Sequence, residues 1–335
     1  MKLKYNLTIF ILSAMLIFSD VILAQSKVGT SAANFLQIGL GARGVAMGEA
    51  ASTNAADISG VYWNPALAVQ NPGHQVYFNH VEWFADINLN FGAAVLDFGD
   101  LGSFGIMFSS LGTDQMEVTT ELYQEGTGAL FTASDLMLGI FYAKALTDKF
   151  NIGGTFKYIN STIWNMSADA FAVDVGLTYV TPYEPITLGM SISNFGSEMQ
   201  MTGTDLAVRY DPDPTAIGNN GGVIGSAHTR LWDLPVLFRF GIAWDVVKTE
   251  NHSFLLVGDI LYPSSQANYL NAGVEYGFLD SYFIRAGYRQ LFLEDAEGGL
   301  TLGIGVNVFD IIVDYAYSDR GLLNSVQYFS LGVKF

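Results

Sequence analysis

From about residue 74 the chain alternates apolar with polar or small residues at a period of two, in short segments separated by turn residues. That is the signature of half-buried strands. In Leu300–Val308 the positions Leu300, Leu302, Ile304, Val306 and Val308 point one way, and Thr301, Gly303, Gly305 and Asn307 the other. Ile186–Ser193, Phe171–Tyr179 and Val236–Asp245 behave alike. The pattern predicts fourteen strands, at about 74–84, 88–98, 103–112, 134–147, 150–162, 169–180, 185–196, 232–247, 252–263, 268–279, 281–291, 298–308, 310–319 and 326–335. Glu82, Lys144 and Asp259 disturb the first, fourth and ninth. Connections after even-numbered segments are short. Those after odd-numbered ones are generally longer, notably 113–133 and 197–231, the first excepted. An even strand number with turns short on one side is the asymmetry of a bacterial outer-membrane barrel.

A soluble antiparallel sandwich also alternates. Against it, the polar face is rich in glycine and carries charges in mid-strand, as a wet lumen tolerates. Aromatic residues (Trp83, Tyr179, Trp244, Tyr282, Phe335) also stand near the ends of the apolar stripes, as interface girdles do. Composition agrees: half of the 335 residues are apolar, yet no internal run reaches the roughly 18 residues of a membrane helix. The fold expected is an all-β membrane protein, a 14-stranded antiparallel outer-membrane β-barrel with an N-terminal plug. The N-terminus sets the compartment, export, which with the barrel pattern implies the bacterial outer membrane. Lys2 and Lys4, an apolar core over Leu7–Phe18 and a small-residue exit before Gln25 form a secretory signal, residues 1–24. Its removal makes the net charge of −17 one unit more negative. Such acidity, without clustered Lys or Arg, disfavours nucleic acid and none is expected as a partner, and the lack of cysteine excludes disulfides and thiolate metal sites.

Residues 25–73 do not alternate and are the expected plug, since a barrel of this strand number is too wide for its wall side chains to fill; residues 74–335 form the barrel. Within the plug, Gly39–Gly44 matches G-x-G-x-x-G, but no crossover unit surrounds it and no cofactor is expected. Close packing of small residues on the wall, with Arg43 meeting lumen carboxylates, is the better reading. The lumen face carries Lys157, Asp174, Arg239, Asp245, Glu275, Arg285, Arg289, Asp314 and Lys334. Simple register would set Glu275 against Arg285, and Lys157 and Asp174 lie on adjacent strands. Wall-stabilising pairs are the first interpretation, a conduit or plug-docking surface the second, because mixed signs give no ion selectivity. Asp205, Asp211, Asp213 and the acidic stretch 294–297 read as solvated outer loops without EF-hand spacing. His74, His80, His228 and His252 show no metal spacing, and no nucleophile motif is present, so no enzyme is expected.

The final strand ends on Lys334 and Phe335, and a terminal aromatic resembles the signal that hands barrels to their assembly machinery. The stretch Gly29–Gly48 followed by Val61–Ala66, with Asn64, Pro65 and Ala66 at its end, resembles the PorV/PorQ family, relatives of the FadL long-chain fatty acid transporter fold. The resemblance implies a fourteen-stranded barrel with Asn64-Pro65-Ala66 in the plug. It also implies an accessory role in type IX secretion, with secretion components and secreted cargo as partners beside lipid and lipopolysaccharide. The alternative it carries is FadL-like passage of a hydrophobic ligand; a lumen lined only by charges would argue against that. Deleting Phe335 is expected to lower the amount of folded barrel in the outer membrane, measured as the heat-modifiable band on a gel. Equal amounts would remove the terminal residue from the assembly signal.

Overall fold

The computed structural model describes residues 29–183, 185–211, 222–293, 296 and 298–335. The expected signal segment, Asp213 and residues 294, 295 and 297 lie outside them. The barrel strands are β1 (Gln75–Glu82), β2 (Asn88–Asp97), β3 (Ser103–Gly112), β4 (Ala133–Thr147), β5 (Phe150–Ile163), β6 (Met166–Val180) and β7 (Ile186–Gly196). They continue as β8 (Leu237–Lys248), β9 (His252–Pro263), β10 (Tyr269–Phe278), β11 (Tyr282–Leu291), β12 (Leu300–Val308), β13 (Ile311–Asp319) and β14 (Ser325–Lys334). Each pairs antiparallel with its sequence neighbours, and β1 also pairs with β14, Gln75 opposite Lys334 and His80 opposite Phe329. Closure satisfies every backbone edge, the condition for a sheet to sit in hydrocarbon.

The alternation has its expected outcome. Leu302, Ile304, Phe171, Val175 and Ile242 project outward and are exposed, while Thr301, Asp174, Arg239 and Ala316 point inward and are buried. Apolar side chains on the outer face of a closed sheet are stable only against lipid. Short turns join even to odd strands; between β12 and β13 the turn is Phe309–Asp310, both at positive φ (52° and 63°), the backbone of a two-residue hairpin.

Three local expectations are corrected. Strands β5 and β6 run on until Ile163 faces Met166, so the connection expected over 163–168 shrinks to Trp164–Asn165. Strand β8 starts at Leu237 and not 232: Pro235 has no N–H for the ladder, and Trp232 bridges instead to Met199. Trp83 is no girdle residue. It continues the inward parity of Tyr77, Asn79 and Val81, packs on the core, and has the Arg320 guanidinium 5.1 Å from its ring centroid.

Residues 29–74 pack against inward-facing positions around the ring. Helix α1 (Ala42–Ala46) lies on β11 to β14, the 3-10 turn Ile58–Tyr62 on β1 and β2, and the 3-10 turn Pro65–Val69 on β4 to β6. The approach is backbone-close. A Cβ at Gly153 would run into Pro65 and Ala66, at Gly176 into Asn64, at Gly189 into Ser52, at Gly273 and Gly287 into Met47 and Gly48, and at Gly303 into Ala46. These inward glycines leave the room in which the inner segment sits.

Gly176→Val is therefore expected to destabilise the barrel by about 1–3 kcal/mol through overpacking, read as a lowered urea midpoint. Gly154→Val, whose added carbon would meet only the Asp174 carbonyl oxygen at 3.6 Å, should leave the midpoint nearly unchanged.

Candidate functional site: the boundary between inner segment and wall

One polar row crosses the wall from β1 to β10: Asn79, Ser330, Asp314, Arg285 and Glu275. Asn79 is opposite Ser330, Ser330 opposite Asp314, and Arg285 opposite Glu275. The inner segment meets this row with consecutive residues. Gly41 N–H donates to Asn79 Oδ1 at 3.2 Å and Ala42 N–H to Ser330 Oγ at 3.0 Å. Arg43 then donates through Nε and Nη2 to both oxygens of Glu275 at 2.9 Å. This is a bidentate fork, the strong form of a charged hydrogen bond. Arg285 reaches the same carboxylate at 2.5 Å and Asp314 at 2.5 Å. Burial disfavours the Arg43 cation, but the Glu275 carboxylate outweighs it and holds the guanidinium above its usual pKa.

Farther along, Gly48 N–H donates to Thr301 Oγ1, whose hydroxyl donates back to Ala46 O, each at 3.0 Å. Glu49 pairs with Arg289 at 3.5 Å and Arg320 at 3.1 Å. Ser52 donates to Asp259 through N–H at 3.0 Å and through its hydroxyl at 2.9 Å. Asn64 caps the turn that starts at Pro65: its Oδ1 accepts from Ala66 N–H, and its amide donates to Ser52 O at 2.7 Å and to Leu177 O on β6 at 3.0 Å. Arg239 stands 4.6 Å from the Trp63 ring centroid, and Ser191 donates to Trp63 O at 2.9 Å. The Tyr62 hydroxyl is 2.8 Å from both Leu36 O and Ile38 O, and burial pushes its pKa well up, so it stays a neutral donor.

Lys157, Asp174, Arg239, Glu275, Arg285 and Asp314 are thus buried and gathered in the lumen, with Arg289 half-buried at Glu49. Lys157 pairs with Asp174 at 2.5 Å and also donates to Asn194. Asp245 and Lys334 keep the inward parity but stand at the short-turn rim, half-buried and exposed, away from this group. Glu49, Asp57, Asp259 and Arg320 were not anticipated. The break in the β9 alternation was the signal for Asp259: its inward neighbours Leu255, Val257 and Leu261 are apolar, and the carboxylate is there for Ser52. Of the glycines of 39–44, Gly39 and Gly44 pack on Trp63 of their own segment, whereas Gly41 meets Ser59 and the Tyr77 hydroxyl of the β1 wall. His74, His80 and His252 tie strand ends through Asp97, Asn90 and Tyr276. No group of three His, Cys, Asp or Glu is arranged for a metal among the described residues.

The lumen is mainly apolar on its other side, where Ser103 and Ser109 are the fully buried polar residues. On β2 to β4 the buried inward residues include Leu89, Phe91, Ala93, Val95, Met107, Met137, Phe141 and Ala143. They belong to one apolar cluster with Phe35, Leu36, Tyr62 and Trp63 of the inner segment.

No family model and no curated protein matches the chain. Solved structures do. The Pseudomonas putida toluene transporter TodX is 13% identical, with 89% of this chain and 99% of that one covered and a TM-score of 0.58. The Ralstonia pickettii toluene transporter TbuX is 14% identical over 89% and 98%, with a TM-score of 0.53. A Pseudomonas aeruginosa FadL homologue is 14% identical over 87% and 97%, with a TM-score of 0.51. The fold is FadL-like. At these identities the likeness concerns the fold alone, and the FadL-like barrel covers nearly the whole of those chains.

Glu275→Gln is expected to cost about 3–5 kcal/mol, because it leaves two buried guanidinium groups short of a counter-charge. Chemical unfolding in detergent checks it. Lys334→Ala at the rim should not move the transition.

Proposed function

We propose that the chain is a non-enzymatic outer-membrane channel through which small hydrophobic molecules pass, with residues 25–73 as its plug. The observation that carries this reading is the apolar middle of the inner arc of β2 to β4, whose carboxylates, Asp97 and Asp135, stand toward the strand ends. A lumen meant for ions or sugars would offer polar groups there, whereas buried Phe91, Met107, Met137 and Phe141 make a face on which an apolar molecule loses no hydrogen bonds to the wall. The FadL-like fold supports it, since the similar structures include transporters named for toluene. The lipid-facing exterior of the closed sheet supports the membrane location.

A second reading, an accessory of type IX secretion, rests on the resemblance of Gly29–Gly48 and Val61–Ala66 to the PorV/PorQ family. Mild-detergent pull-down separates the two, because that role requires large secreted proteins or translocon components to co-purify.

The channel reading is tested in cells with an intact lipopolysaccharide leaflet, which excludes the neutral dye N-phenylnaphthylamine. Cells making this protein should take up the dye several-fold faster than cells making an unrelated closed barrel; equal rates would sink the reading.

A further inference from the structure

The two sides of the inner segment are held by different physics. On β5 to β12 its backbone is pressed on wall glycines, and ion pairs and buried hydrogen bonds at Glu275, Thr301, Asp259 and Leu177 add to the hold. On β2 to β4 no hydrogen bond joins residues 31–70 to the wall among the described residues. The wall glycines there are covered in another way: the space over Gly105 is taken by the Phe141 ring, and that over Gly139 by the Met107 side chain. Facing them, the Tyr62 ring meets Phe91 edge-on, centroids 5.9 Å apart.

We infer that the passage opens along this seam, between Tyr62 and the β2 to β4 wall, with Phe141 and Met107 as its gating side chains, and that it admits neutral apolar molecules and rejects anionic amphiphiles. The inference rests on the channel reading. A side chain lying over a glycine can turn away into another rotamer; Met107, unbranched and with three rotatable bonds, is suited to this. Separating the segment from β5 to β12 would instead expose a forked Arg43–Glu275 pair and the Ser52–Asp259 bonds at once, which is far costlier. An apolar molecule entering the seam replaces apolar contacts by its own. A sulfonate or carboxylate there would find no cation on β2, β3 or the inner face of β4, and burying it unpaired is prohibitive.

The chain has no cysteine, so two pairs can be cross-linked cleanly in the full-length protein. In Tyr62→Cys/Phe91→Cys a short cleavable cross-link staples the seam; in Ser52→Cys/Asp259→Cys, whose native side chains already meet at 2.9 Å, it staples the opposite side. Each protein is compared before and after cleavage, so folding is the same in both arms. The seam staple should stop N-phenylnaphthylamine uptake until cleaved, and the opposite staple should leave the rate as it was. Phe141→Ala should speed that dye several-fold while anilinonaphthalene sulfonate, the same ring system with a charge, stays excluded. Uptake indifferent to the seam staple, or stopped only by the opposite one, overturns the inference while the channel stands. No dye uptake by the unmodified protein takes down the channel reading and the inference together.

Discussion

The structure depends on how closely the inner segment approaches the wall. A fourteen-stranded ring is too wide to be filled by its own side chains. The strands from β5 to β12 bear glycine where residues 46–66 touch them, so main chain lies on main chain. Everything polar at the boundary follows from that proximity. Short side chains such as Ser330, Thr301 and Asn79 can reach the segment's N–H groups only because nothing bulky stands between.

The buried charges belong to the same arrangement. Arg43, Lys157, Arg239, Arg285, Arg289 and Arg320 face Glu49, Asp57, Asp174, Asp259, Glu275 and Asp314, six of each sign. The chain's net charge of −17 therefore lies wholly outside this set. The buried set sums to zero charge. It acts as an adhesive whose strength comes from shared partners, since Glu275 serves two arginines and Arg285 two carboxylates.

Much of this was legible in the sequence. Strand parity alone placed Arg239, Glu275 and Asp314 on the inner face, because one buried face fixes which way every second residue points. The tight β10–β11 connection set Glu275 against Arg285. What periodicity did not reveal was what fills the lumen. Glycine on the inner face looked like tolerance of water and is instead room for backbone, a distinction that depends on a partner far away in the chain. Glu49, Asp57 and Arg320 sit in stretches with no period, so nothing local marked them. The apolar arc was hidden for a related reason: Phe91, Met107 and Met137 fall on the inner face of strands that are apolar on both sides, where alternation is weakest.

Residues 41 and 42 touch β1 and β14 together, at Asn79 and Ser330, and those two side chains also bond to each other. The segment thus lies across the one seam where the two ends of the ribbon meet, through a contact spanning 288 positions of chain. Loops of that length close slowly, because their entropy is lost before the contact rewards it. The same contact therefore braces the joint at which the ring is shut, and the segment that makes it is itself enclosed by that joint.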